Sequence, residues 1–236
     1  MAVRIDSVYQ KVLALANKEQ RGYITPQEFN LFANHAQMEI FEQYFYDKGE
    51  INRNPGNQTD YSDSTKILAE KIQVFKRGPI SLTQSGTTHL YPDPLGANPV
   101  WRLGNVFHGG TPELAEEITE LSEIPMGGPL INPTHQNPIF RRVANGLSLF
   151  PTIASCRIFY ITSPARVNWS YIVLDGKALF NSSAGTTAHF QLHASEEIEL
   201  VYKILRLAGV AMQREDVTKL AAAMETAQIQ QEKQTR

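Results

Sequence analysis

The chain has a single cysteine, Cys156, among its 236 residues. One thiol makes no internal disulfide and no zinc site built on several cysteines. A small apolar side chain inside a strand is the role this leaves for it. No apolar run approaches the ~18 residues that a membrane span needs. Neither sign of charge dominates, since 22 basic and 24 acidic residues give a formal net charge of −2. That balance lacks the basic surplus of a protein that wraps nucleic acid. The opening "MAVRIDSVYQ" has neither the apolar core nor the cleavage site of a secretory signal. A soluble protein made in a cytoplasm, with no membrane partner, is expected.

Motifs for chemistry are as scarce. There is no phosphate-binding G-x-x-x-x-G-K-[ST] and no dinucleotide G-x-G-x-x-G, so no cofactor is expected. The closest histidine pair, His189-x-x-x-His193, lies in "TAHFQLH", which reads as a strand. There the two rings share a face but stand roughly 13 Å apart, too far for one metal. The zinc-protease pattern also wants a Glu after the first His, where Phe190 stands. "HGGT" at 108–111 has the look of an esterase oxyanion loop, but the nearest thing to G-x-S-x-G is "GLSLF". A glycine turn leaving a strand explains it better. "DKGEINRNPGNQ" at 47–58 fails as a calcium loop, because Asn52 stands where Gly is needed and Gln58 where Glu is needed. The basic pairs Lys76-Arg77 and Arg141-Arg142 read as solvated charge.

What is present is clear periodicity. Ile5, Val8, Tyr9, Val12, Leu13 and Ala16 predict a helix over 4–18. Thr25, Pro26 and Glu28 form a capping-box start for a second helix over 26–46, whose apolar face runs from Phe29 to Phe45. Residues 47–62 carry Gly, Pro and several Asn without a hydrophobic period, which predicts a loop. A third helix should start at Asp63 or Ser64 and run to Phe75. From Gly78 the period turns to that of short strands and turns. Residues 110–125 fit either a short helix capped by Thr111 or a loop followed by a strand. "NPIFRRVANGLSLFPTIASCRIFYITSP", 137–164, reads as strands. A type I′ turn at Asn145-Gly146 would require positive φ at Gly146, and Pro151 and Pro164 would close strands. Asp175-Gly176 marks a second hairpin turn. A helical region begins at Ser195, with Glu196 and Glu197 in its first turn and Gly209 as its stop, followed by a last helix over 214–230.

Helices, then strands, then helices predict an α+β fold. In this reading a helical bundle is formed by the N- and C-terminal helices, 1–77 and 195–236, with an antiparallel β-rich domain inserted at 78–194.

Three blocks of the chain resemble the head–tail connector, or adaptor, proteins of short-tailed bacteriophages. They are "IDSVYQKVLALANKEQRGYITPQEFNLFANHAQMEIFEQYF", the strand-rich block 137–169, and "HASEEIELVYKILRLAGVAMQREDVTKLAAAMETAQIQQEKQ". The first is similar to neck-ring proteins of crAss-like and podovirus-like phages. The resemblance implies a structural virion protein and not an enzyme. It would assemble in the host cytoplasm into a homo-oligomeric ring, twelve-membered like the portal, in the neck or tail. Its partners would be the portal protein or neighbouring tail rings, with double-stranded DNA passing through. The polar tail is then the docking element, with Gln228, Gln230, Gln231, Lys233 and Arg236 as candidate contacts. Two other classes compete. One is a hydrolase-type enzyme with a site in the β region drawn from His108, Ser148 or Asp175. The other is a tail-associated host-binding protein, which should show a fibre repeat that is absent here.

Overall fold

A capping box opens the longest helix. Thr25 Oγ1 donates to Glu28 Oε2 (2.8 Å) and accepts from the Glu28 amide (3.3 Å), while the Thr25 amide donates to the same carboxylate (3.0 Å). The computed structural model describes residues 3–16, 24–53, 59–92, 99–109, 113–119, 132–211 and 215–234. Its fold is α+β. The helices are α1 (Ile5–Ala16), α2 (Pro26–Arg53), α3 (Thr59–Gln73), α4 (Glu197–Ala211) and α5 (Glu215–Gln234). The strands are β1 (Lys76–Ser81), β2 (Thr83–Ser85), β3 (Thr88–Leu90), β4 (Val100–His108), β5 (Glu116–Glu117), β6 (Ile139–Val143), β7 (Gly146–Phe150), β8 (Cys156–Thr162), β9 (Tyr171–Leu174) and β10 (Lys177–Phe180).

The chain divides into two compact units, one made of 1–74 with 164–236 and the other of 75–163. The insertion therefore ends at Ser163, not at the expected 194, and β9 and β10 belong with the helices. The physical reason lies on α2. Asn30, Asn34 and Gln37, at i, i+4 and i+7, act as a sheet edge for the extended segment 165–169. Asn34 accepts from the Val167 amide (2.9 Å) and donates to its carbonyl (3.0 Å). Asn30 accepts from the Trp169 amide (2.7 Å), and Gln37 donates to the Ala165 carbonyl (2.8 Å). These amides satisfy backbone groups that have no ladder partner. Trp169 is thereby set in the core, with its Nε1 donating to Asp6 Oδ1 (3.1 Å) and its ring 4.0 Å from that of Tyr9.

Within this unit α4 packs against α1, α2 and α5, and α2 also packs against α3. The buried face of α4 is Leu200, Val201, Ile204, Leu205 and Ala208, whereas Ile198 is exposed. Lys71 of α3 is buried in an ion pair with Glu196, which lies in a 3₁₀ turn, Ala194–Glu196, leading into α4. Several boundaries differ from expectation. Residues 47–53 continue α2, because Lys, Glu and Arg propagate a helix once it is nucleated, even past Gly49. Residues 54–58 of that expected loop lie outside the described residues. α3 starts at Thr59, the first of several capping-type residues before Ser64. Gly209 lies inside α4 rather than ending it. "TAHFQLH" is extended but forms only isolated bridges, Asn168 with Ala188 and Val3 with Phe190, so no ladder strand arises there.

The inserted unit holds two sheets over one core. The order is β1-β8-β4 in the first and β2-β3-β7-β6-β5 in the second. Pairing is antiparallel except between β5 and β6. The core draws Leu103 and Val106 from β4, Phe140 from β6, Leu147 and Leu149 from β7, and Cys156, Ile158 and Tyr160 from β8. Cys156 fills the small apolar role expected of it, and burial pushes its thiol pKa up to about 11. Strands β7 and β8 stop before Pro151 and Pro164, as the missing amide hydrogen requires. The described part of 110–125 follows the loop-then-strand alternative, with Leu114 bridging Phe107 before β5.

The β6–β7 turn corrects an expectation. Val143 pairs with Gly146, so the two-residue loop is Ala144-Asn145, and Gly146 is not among the residues with positive φ. Type I′ is therefore wrong. Gly146 is needed for a different reason: a Cβ there would lie 2.0 Å from the carbonyl oxygen of His89 on β3. The Asp175-Gly176 hairpin does take the expected conformation, with φ of 49° and 74°.

His89 is fully buried beside this contact. Its Nε2 donates to the Ile153 carbonyl (2.9 Å), which leaves Nδ1 as a buried acceptor with no hydrogen-bond partner. Burial lowers its pKa below 6.5, and the Ile153 bond only partly opposes this. The unfolded chain takes up a proton as pH falls below about 6.5, while the folded ring resists it. Stability is thus full above that pH and is lost as pH falls toward the depressed folded value. Thermal melts of the inserted unit should show a falling midpoint between about pH 7 and about pH 5. In His89→Gln, which can keep the Ile153 bond, the slope should flatten, and an unchanged slope refutes the assignment.

Candidate functional site

The candidate contacts lie on or beyond α5. That helix is held by charge as well as by apolar packing. Lys203 of α4 is 2% exposed. Its Nζ donates to Glu39 Oε1 of α2 (2.9 Å) and Glu225 Oε1 of α5 (2.9 Å), and lies 3.5 Å from Glu199. Arg206, one turn on, donates through Nη1 to Glu225 Oε2 (2.9 Å) and through Nη2 to both Glu39 oxygens (2.8 and 3.0 Å). Two cations thus bind three carboxylates from three helices. Burial alone would raise the Glu39 pKa, but the bonds from Lys203 and Arg206 outweigh it and hold the carboxyl low. Burial would likewise lower Lys203, and Glu39 and Glu225 outweigh it, so its pKa is raised.

Glu225 is the last buried side chain described on α5. Beyond it Thr226 and Ala227 are exposed, Gln228 and Ile229 half-buried, and Gln230 exposed, and the helix runs on to Gln234. Of the candidates, Gln228 and Gln230 therefore share the distal part of α5. Gln231 and Lys233 lie on the same helix with side chains outside those described, and Arg236 lies outside the described residues. Glu225 itself belongs to the core, because the Lys203–Arg206 pair draws that carboxylate inward. The helix expected over 214–230 runs from Glu215 to Gln234.

The residues of the enzyme alternative lie on two different strands and in a hairpin turn. Ser148, on β7, donates to the Thr87 carbonyl (3.3 Å), and His108, ending β4, has Nε2 3.4 Å from Glu113. Asp175 is at the tip of the β9–β10 hairpin, in the other unit. His189 accepts from the Ile5 amide (3.4 Å), and His193 caps the 3₁₀ turn by accepting from the Ser195 amide (3.3 Å). Arg142 of the basic pair binds Glu117 through Nε (2.6 Å) and Nη2 (2.9 Å). Among the described residues no group of three His, Cys, Asp or Glu is placed to hold a metal ion. None of the described helices is long and apolar enough to cross a membrane.

Sequence reasoning missed the ion network and the amide ladder of α2. A signal existed for the first. Lys203 stands three residues after Leu200 and beside Ile204, in the apolar stripe of α4, where a charge needs buried partners. Comparison with models of protein families finds none that matches the chain, and comparison with curated proteins finds none similar to it.

Proposed function

We propose that the chain is a structural, non-enzymatic ring protein of a phage neck, joining portal to tail and letting genomic DNA pass. The distal part of α5 is its docking element. One observation carries this reading: α5 continues through Gln234 after its last described fully buried side chain, Glu225. A helical extension held, among its described side chains, only by half-buried Gln228 and Ile229 is marginal alone, because isolated short helices are unstable in water. A partner surface supplies what the monomer does not.

Removing 228–236 tests it. The truncated protein keeps Glu225 and the whole ion network, so its circular dichroism melt should match the full chain. It should fail to complement a phage lacking the gene. Complete infectious particles made with the truncated protein refute the docking role. Negative-stain images of the full chain should show rings with a central hole.

A further inference from the structure

The β9–β10 hairpin is an uncovered sheet. Its strands form a two-stranded sheet of their own, with the pairs Tyr171–Phe180, Ile172–Leu179, Val173–Ala178 and Leu174–Lys177. One end is anchored. Tyr171 and Phe180 lie opposite each other, and each ring stacks 5.9 Å from buried Trp169. The other end is not. Ile172, Val173, Leu174 and Leu179 are 51%, 64%, 60% and 45% exposed. Ile172, Leu174 and Leu179 share the face opposite the anchored rings, by strand alternation. A two-stranded hairpin is marginal in water, and sheet edges are normally guarded by charge, Pro or a bulge. The two strands carry a single charge, Lys177 at the start of β10, and no Pro.

We infer that this hairpin is the contact between copies of the chain, β10 of one copy pairing antiparallel with β9 of the next. Closure of that contact into a ring rests on the reading above; the pairwise contact does not. Charge complementarity selects a second copy as the occupant. The tip has one acid, Asp175, at the end of β9 and one base, Lys177, at the start of β10. Side-by-side addition repeats the internal register, so Lys177 of one copy meets Leu174 of its neighbour, next in sequence to that copy's Asp175. The signs then alternate along the row, and like charges never face each other. Ile172 and Leu179 meet across the junction as they do within the hairpin. The tips all point one way, as cyclic symmetry demands, and each added hairpin leaves one free edge for the next. A two-fold β9–β9 pairing would instead put the tips at opposite ends. The pair of opposite charges at the tip also gives no basic collar for anionic lipid.

The experiment uses the full chain with Leu174→Cys or Lys177→Cys. Cys156 is buried with its thiol pKa raised, so background oxidation is low. The two variants are mixed in equal amounts, oxidised with copper phenanthroline and run on non-reducing gels. A covalent dimer in the mixture, several-fold above either variant alone, is the expected result. Ile172→Lys/Leu179→Lys should stay folded by circular dichroism and lose assembly by light scattering. Rings in micrographs with no cross-link and no effect of the lysines overturn the hairpin contact and leave the ring reading standing. Cross-linked dimers without rings keep the contact and overturn the ring. A product in Leu174→Cys alone at the level of the mixture, or binding of the wild type to phosphatidylcholine vesicles that the lysines abolish, overturns the head-to-tail pairing.

Discussion

Gly146→Val is expected to disrupt the pairing of β3 with β7 and to destabilise the inserted unit by roughly 3 kcal/mol or more, at or above the top of the ordinary range for single substitutions. The added Cβ meets backbone: His89 O at 2.0 Å, His89 C at 2.8 Å and Leu90 Cα at 3.0 Å. No rotamer change relieves such a contact. The strands must separate, and β3 is tied on both sides, to β7 through His89–Leu147 and to β2 through His89–Gln84. The Tyr91 amide also donates to the Asn145 carbonyl (2.9 Å), which holds the turn against this edge. Because the clash begins at Cβ, Gly146→Ala should cost most of what Gly146→Val costs. Asn145→Ala should cost under about 0.5 kcal/mol, since Asn145 has no positive φ to defend. Gly49→Ala is the control in the opposite direction. Nothing lies within 4 Å of its added Cβ, and a helix interior should gain up to about 1 kcal/mol. Urea unfolding, with hydrogen exchange of the β3 and β7 amides, measures all four. A Gly146→Ala variant as stable as wild type removes the close-approach explanation.

The same turn shows where sequence stops being legible. "ANG" between two strands announces a hairpin, and one is there. Which two residues make the loop depends on register, and register depends on β3, a strand more than fifty residues earlier in the chain. "DG" at 175–176 was readable because its conformation is local to the hairpin. The helices were legible for the same reason. A capping box and a 3.6-residue period are local, and α1, α2 and α4 appear where those signals stand. The domain boundary was not. Residues 165–193 have strand-like composition, but Asn30, Asn34 and Gln37 recruit them to α2 by hydrogen bonds spanning over a hundred residues. The candidate docking residues share that difficulty. Their polarity is local information, whereas the point where α5 leaves the core is fixed by Glu225 meeting α4.

Lys203→Met is expected to destabilise the helical unit by about 3–5 kcal/mol at neutral pH, the usual result of stripping one partner from a buried ion pair. The methionine fills the space of the lysine stem, so the loss is electrostatic. Arg206 alone then balances Glu39 and Glu225, and Glu199 loses the ammonium 3.5 Å from it. The element tied to this cluster through a buried carboxylate of its own is α5, and it should give way first. Amide exchange should therefore rise along 215–234 before it rises in α1 or α2. Acid supplies an independent sign. The Glu39 pKa is held below 4.5 by Lys203 and Arg206, so its stabilisation is present above that pH and is lost as pH falls toward the folded value. In Lys203→Met this loss is smaller, because protonation now relieves repulsion, and the gap between variant and wild type should narrow in acid. Adding Glu225→Leu should recover part of the neutral-pH loss, as replacement of a whole buried pair by apolar groups often does. That double variant carries the functional consequence. Under the proposed docking role, if α5 docks by packing alone, the double variant should still assemble with a partner ring. If the charged clamp sets the direction in which the distal helix leaves the core, the protein should fold and fail to assemble. A single variant losing under about 1 kcal/mol would show that the cluster is a solvated surface network.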